Sequence, residues 1–342
     1  MDMHKARWLA LSTLSGSMLI LAACQSSPPT TAEPATPAGE STQPAKSAPA
    51  SETPLVATSP STQAPGSGAA APLPAIPQAV TFQASDGQEL HGLYYPAKLN
   101  PAPLVVLVHW VRSDQSDWID VALWLQARFQ VPFSDVLPSL QAMIGDRAQD
   151  RSAGPWRDPT WFPAMPEDRS YGVFTFSYRG CEASGCSAWD PQGWLLDAQA
   201  ALQTAVTLSG VDTDRVATIG ASIGADGAID GCLWLNQQTD VGRCTGALSL
   251  SPGGYLDMPY EVAVSDLISL ATAQEPDAKL AILCLASDGD PESAPTCRAA
   301  SGAGYEMIMH PGSAHGMELI DPATEPNTLT VVLDFLERVF GD

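Results

Sequence analysis

Basic side chains are scarce in this 342-residue sequence: lysine and arginine number 16 against 38 aspartates and glutamates, a formal charge of −22. A surface that acidic repels phosphate backbones and anionic headgroups, which argues against nucleic acid as a partner and against peripheral binding to anionic lipid. Histidine is scarcer still, with only His4, His91, His109, His310 and His315, and no Cys-x-x-Cys pair occurs. Those absences leave little from which to build a zinc site, and no metal is expected. There is no convincing membrane span: the largely apolar run from Trp8 to Ala23 is too short and is broken by Ser, Thr and Gly. Aromatic residues are missing altogether between positions 25 and 77. No internal repeat is visible.

The first residues read as a targeting segment, with His4, Lys5 and Arg7 ahead of the apolar run. The run ends in Leu21-Ala22-Ala23-Cys24, which resembles the bacterial lipobox. The resemblance implies a signal peptide over 1–23, cleavage before Cys24, and acylation of that cysteine. Several acyl chains would hold the protein to the outer face of a cell membrane, whereas one alone binds only marginally. Gln25 in place of an aspartate favours the outer membrane, if the host has two. Residues 24–77 are rich in Pro, Ala, Ser and Thr, a composition that cannot bury enough apolar area to offset its ordering entropy. They are expected to form an extended tether for a globular domain over 78–342.

Six cysteines follow Cys24 and fall into close pairs: Cys181 and Cys186, Cys232 and Cys244, Cys284 and Cys297. An even number in an exported chain favours disulfides, and pairing by proximity is the simplest of fifteen connectivities for six cysteines.

Along the domain, short apolar runs alternate with helical periodicity, the signature of an α/β fold with a mainly parallel sheet. Strands are expected near 79–84, 89–95, 104–108, 172–178, 216–219, 247–250, 280–285 and 305–309. Asp86-Gly87 marks a hairpin turn between the first two. Residues 193–209 and 329–340 read as amphipathic helices. An insert over about 111–170 breaks the alternation, with Trp118, Trp124, Trp156, Trp161 and Phe162 among several prolines. Two readings fit it: a cap that shapes a pocket, and a loop packed onto the body by its own aromatics.

One motif carries chemistry. Gly220-Ala221-Ser222-Ile223-Gly224 follows an apolar strand and precedes a helical segment, the setting a Gly-x-Ser-x-Gly nucleophile elbow requires. The turn is sharp, so side chains two residues either side of the serine would collide with neighbouring elements. A serine hydroxyl is a weak nucleophile near neutral pH and needs a base, and the base needs an orienting group. His4 lies in the signal, His91 in the first hairpin, and His310 at a strand end where a satisfied core histidine is expected. His315 sits in a loop between the last strand and the closing helix. Asp288 and Asp290 both lie at the end of the strand before it.

These pieces, with His109 after its strand, Tyr178-Arg179-Gly180, the segment Val211-Asp212-Thr213-Asp214-Arg215-Val216, Asp290-Pro291 and His315-Gly316, resemble an α/β-hydrolase of the dienelactone-hydrolase and prolyl-peptidase-like branch. The resemblance implies an α/β-hydrolase fold, a mostly parallel sheet flanked by helices, with the aromatic-rich insert as a cap-like departure. It implies a triad in the chain order Ser222, Asp290, His315, with Asp288 as the second choice of acid. His109 then opens the loop whose backbone N–H completes an oxyanion hole, and its own side chain hydrogen-bonds loop backbone. Trp110 stands where the family has glycine, so the donor is Val111 or Trp110, together with Ile223, and Val111 is preferred. The implied reaction is hydrolysis of a carboxylic ester without a cofactor. A peptidase, an acyltransferase, or a non-catalytic binding protein on the same scaffold are the alternatives.

Overall fold

A seven-residue run without a polar side chain, Ala102–Val108, forms strand β3, and all of it is buried. Alternate residues of a strand face opposite sides of its sheet, so such a run needs cover on both faces. Leu104, Val106 and Val108 belong to one buried cluster, and Val105 and Leu107 to another. The computed structural model describes residues 73–128, 138, 140–141, 159–275 and 279–341. The expected signal, Cys24 and nearly all of the tether lie outside the described residues, as does Trp156.

Eight strands form one sheet: β1 (Gln78–Gln83), β2 (Glu89–Tyr95), β3, β4 (Gly172–Phe176), β5 (Val211–Ala221), β6 (Cys244–Leu250), β7 (Ala281–Ser287) and β8 (Tyr305–His310). Their spatial order is β1-β2-β4-β3-β5-β6-β7-β8. β2 runs antiparallel to both β1 and β4, and every other neighbouring pair is parallel. Helices α2 (Pro191–Ala205), α3 (Ile223–Gln237) and α4 (Tyr260–Gln274) cover one face through Trp194, Ala198, Ile229, Tyr260 and Val264. Helices α1 (Ile119–Gln126) and α6 (Thr328–Phe340) cover the other through Trp124, Val332 and Phe335. α5 (Ser293–Ala299) follows β7. This is the α/β-hydrolase fold expected from the sequence.

Several elements differ from their expected bounds, for local reasons. α2 starts at Pro191 because Asp190 accepts the Gly193 N–H and proline suits the first turn of a helix. It ends at Ala205, short of 209. β5 begins at Val211, five residues early, because Val211 and Asp212 pair with Ala102 and Pro103 of β3 before a bulge leads into Val216. α4 has no counterpart among the expected elements, although its buried residues Tyr260, Ala263, Val264, Leu267 and Ala271 fall at helical spacing. The described part of the insert contains α1 and packs its aromatics onto the body. Trp118 and Trp124 are buried, the Trp124 indole donates to the Pro163 carbonyl at 2.8 Å, and its ring lies 5.5 Å from Phe162.

Cys181 bonds Cys186, Cys232 bonds Cys244, and Cys284 bonds Cys297. Three bridges suit an oxidising compartment, where disulfides persist. Among the described residues no helix is long and apolar enough to cross a membrane.

Candidate active site

The site begins where β5 meets α3. A Cβ on Gly220 would sit 1.8 Å from the Gly224 carbonyl oxygen, and one on Gly224 would sit 2.3 Å from that of Val108. Both obstacles are backbone, so only glycine fits and the strand can turn into the helix at once. Ser222, at the apex, has φ 54° and ψ −120°, a conformation costly to any residue with a side chain. The Ser222 N–H donates to the Leu250 carbonyl at 2.8 Å, which helps hold the strained residue in place.

Ser222 Oγ donates to His315 Nε2 at 2.9 Å, and His315 Nδ1 donates to Asp290 Oδ2 at 2.7 Å. Asp290 Oδ1 accepts the backbone N–H groups of Glu292 (3.2 Å) and Ser293 (3.1 Å). Burial pushes the Asp290 carboxyl up, but the hydrogen bonds from His315 and from Ser293 and Glu292 outweigh it and hold the pKa below its ordinary value. An ionised Asp290 keeps the proton of His315 on Nδ1 and leaves Nε2 free to accept from the serine. Asp288, the other candidate acid, points elsewhere and pairs with Arg298 at 2.8 Å on the surface. Ser287 donates to the Ala314 carbonyl at 2.8 Å, tying the end of β7 to the histidine loop. The Cys284–Cys297 bridge spans the acid loop from strand to helix.

His109 is fully buried, and burial lowers its pKa to about 4. Its Nε2 accepts the Tyr178 N–H at 2.9 Å, so the proton sits on Nδ1 and is donated to the Trp110 carbonyl at 2.7 Å. His109 is therefore a neutral brace between the ends of β3 and β4 and lies outside the serine's hydrogen-bond chain. His310 is also buried, with Nδ1 bonded to the Glu325 carbonyl at 3.1 Å, and burial lowers its pKa. Val111 and Ile223 both line the cleft over Ser222, as does Trp110. Among the described residues neither the Val111 nor the Ile223 N–H has a backbone acceptor; Ile223 opens α3, while two residues on, the Ala225 N–H already donates to the Ser222 carbonyl at 2.8 Å.

The cleft has a volume of about 360 Å3. Its aromatic walls come from Trp110, Trp189 and Tyr255; Trp110 was expected at the site as a possible backbone donor, and Trp189 and Tyr255 were not expected there. The Tyr255 ring meets Trp189 edge-on at 6.1 Å and His315 at 6.3 Å. Its hydroxyl donates to Glu292 Oε2 at 2.8 Å. Asp226, buried on α3, accepts the N–H groups of Gly253, Gly254 and Tyr255 and so fixes the loop that carries this ring. Burial raises the Asp226 pKa to about 7 against those three bonds. Glu318 joins two parts of the site, accepting the His315 N–H at 3.0 Å and pairing with Arg112 at 2.9 Å. Among the described residues no three His, Cys, Asp or Glu side chains gather as a metal-holding group.

No protein-family model and no curated protein matches the chain. Similar solved structures include an esterase from Pyrococcus furiosus (TM-score 0.46, 16% identity, covering 78% of this chain and 91% of that one). They also include an esterase from Pyrobaculum calidifontis (TM-score 0.47, 14% identity, 77% and 84%). A third is an acylaminoacyl peptidase from Pyrococcus horikoshii (TM-score 0.44, 12% identity, 76% and 40%).

Proposed function

We propose that the protein is a serine hydrolase that cleaves a carboxylic ester of modest size through an acyl-enzyme. The observation that carries this reading is the hydrogen-bond chain Ser222–His315–Asp290 opening into a cleft lined by Ile223, whose N–H has no backbone acceptor among the described residues. Ser222 Oγ attacks the carbonyl carbon while His315 Nε2 takes its proton. Charge develops on the carbonyl oxygen, where the N–H groups of Val111 and Ile223 stabilise it. Collapse of the tetrahedral species expels the alcohol, which receives the proton from His315. Water, deprotonated by the same nitrogen, then attacks the acyl-enzyme and frees Ser222. Asp290 holds the imidazole in the tautomer that can accept and stabilises it when charged. The aromatic walls suit an apolar substituent on the ester, and its small volume suits a short one.

The test is labelling of the full chain by a fluorophosphonate and turnover of nitrophenyl acetate, with peptide amides and acceptor alcohols alongside. Ser222→Ala and His315→Ala should abolish both labelling and turnover. A folded parent that neither labels nor turns over any ester refutes the hydrolase reading. Faster turnover of the amides, or transfer to the alcohols, moves the assignment to a peptidase or an acyltransferase.

The proposed setting is a membrane surface in an oxidising compartment, with Cys24 acylated and residues 25–77 as the tether. What supports it is the Leu21-Ala22-Ala23-Cys24 match together with the three disulfides. Cys24→Ser should move the protein from the membrane fraction to the soluble one and abolish incorporation of a labelled fatty acid.

A further inference from the structure

Between β4 and α2 the chain makes a hairpin so small that its strands, Cys181–Glu182 and Gly185–Cys186, are two residues each. Two-stranded hairpins of that size do not hold together by themselves. This one is closed by the Cys181–Cys186 bridge. It also touches the cleft at two places. The Cys186 N–H donates to the Val111 carbonyl at 2.9 Å, and the hairpin's exit leads directly to Trp189, whose ring forms part of the cleft wall. The approach is close: Gly185 has φ +103°, and a Cβ there would sit 3.0 Å from the Val111 carbonyl oxygen and 3.4 Å from that of Arg112. At its base the Ser187 N–H closes back onto the Gly180 carbonyl at 2.8 Å.

We propose that the Cys181–Cys186 hairpin is a positioning clamp for the oxyanion loop, holding Val111 where its N–H faces the reacting carbonyl. The inference rests on the hydrolase reading above. The hydrogen bond from the Cys186 N–H pins the Val111 carbonyl and so fixes one of the two peptide planes that set the orientation of that residue. With the bridge open, the hairpin frays and the Val111 carbonyl loses its donor, while the triad stays on β5, β7 and the histidine loop. The other two bridges have a different relation to the fold. Cys232, Cys244, Cys284 and Cys297 are all at most 1% exposed, whereas Cys186 is half-buried in an exposed loop. Exchange with a thiol needs access to sulfur, so a mild dithiol opens the hairpin bridge first. The two sulfurs leave as thiols and the dithiol closes to its own cyclic disulfide, so the electrons balance.

The experiment compares the oxidised full chain, the same chain after mild dithiol treatment, and the double variant Cys181→Ser/Cys186→Ser, in which only this bridge is missing. The readouts are new thiols, kcat and KM on nitrophenyl acetate, fluorophosphonate labelling, and thermal unfolding. Two new thiols per treated chain should accompany a fall in kcat of about 100-fold, the lower end of the range for losing an oxyanion donor. KM should move by less than about threefold, because ground-state contacts survive. The double variant should behave in the same way and remain folded at the assay temperature. Gly185→Ala, which presses on the Val111 carbonyl with the bridge intact, should also lower kcat more than it raises KM. The clamp is refuted by a double variant whose kcat stays within about twofold of the parent, and equally by one whose loss of activity follows its unfolding curve. An oxidised parent that neither labels nor turns over brings down the hydrolase reading itself, a distinct outcome that removes the basis of the clamp.

Discussion

Replacing Asp290 by asparagine separates the two acids at the end of β7, and the structure sets the size of the effect. Asp290 uses its two oxygens differently: Oδ1 accepts the Glu292 and Ser293 N–H groups, and Oδ2 accepts the His315 Nδ1 proton. An asparagine must keep its oxygen toward the two N–H donors, because an NH2 group there would face them donor to donor. Its nitrogen is thereby forced toward His315. The imidazole then has to accept at Nδ1, which moves its own proton to Nε2, where it can no longer take one from Ser222. Loss of the correct tautomer with geometry intact costs about 10⁴-fold in kcat, or about 5 kcal/mol of barrier. Asp288→Asn is the control. That carboxylate pairs with Arg298 in solvent, where side chains roughly half exposed gain little from each other, so kcat should stay within about twofold. The assay is kcat on nitrophenyl acetate for both variants and the parent, with thermal unfolding run alongside. A folded Asp290→Asn protein within about tenfold of the parent would refute the reasoning, as would an equal loss in Asp288→Asn.

Gly224→Ala should cost about 3 kcal/mol or more, or prevent folding, because its Cβ meets the Val108 and His109 carbonyl oxygens at 2.3 and 2.5 Å and backbone cannot give way cheaply; urea unfolding measures it. Arg179→Met should cost about 3–5 kcal/mol, since Asp197, fully buried, loses its charge partner. Burial already raises the Asp197 pKa, so this cost should shrink on acidification as that carboxyl takes up a proton, and an unfolding series against pH would show whether it does. His109 contributes in the opposite sense. Burial lowers its pKa to about 4 from the ordinary 6.5, so the unfolded chain binds more protons between those values and stability falls as pH drops through that window. The contribution reaches about 3 kcal/mol below pH 4, and the acid limb of the unfolding curve should flatten by that order in His109→Gln; an unchanged limb would contradict the assignment.

The fold was legible where its determinants are local. β3 shows as an apolar run because both its faces are covered, and α6 shows through the spacing of Leu329, Val332, Phe335, Leu336 and Phe340. The elbow was legible through its Gly-x-Ser-x-Gly spacing; the collision at Gly220 lies within the turn itself, whereas the one at Gly224 is with the end of β3 and belongs to the tertiary structure. The cysteine pairs lie close in sequence, and the structure joins them as neighbours. α4 carried a readable helical period and a stop signal in Pro276 just beyond its end, but it follows the irregular stretch Ser251-Pro252-Gly253-Gly254, which obscures its start. Most of the pocket wall had no such trace. Trp110 was placed near the serine only through the oxyanion loop, while Trp189 and Tyr255 are ordinary aromatics in two separate connections, and only their convergence makes them part of a site.

By itself the amino-acid sequence determined which segments are strands, where the chain must turn on glycine, and which serine, histidine and aspartate types stand at strand ends. Periodicity and backbone sterics act over a few residues, so they can be read without knowing the neighbours. Tertiary structure decided what those residues face. Hydrophobic alternation records that a side chain is buried and is silent on which strand lies alongside, and the order β2-β4-β3-β5 came only from the assembled sheet. That order brings the loop after β3 over Ser222, sets the Cys181–Cys186 hairpin against Val111, and turns Asp290 and not Asp288 toward His315. Each of these is a contact between residues far apart in the chain, selected by close packing around a shared core, and no local pattern encodes it.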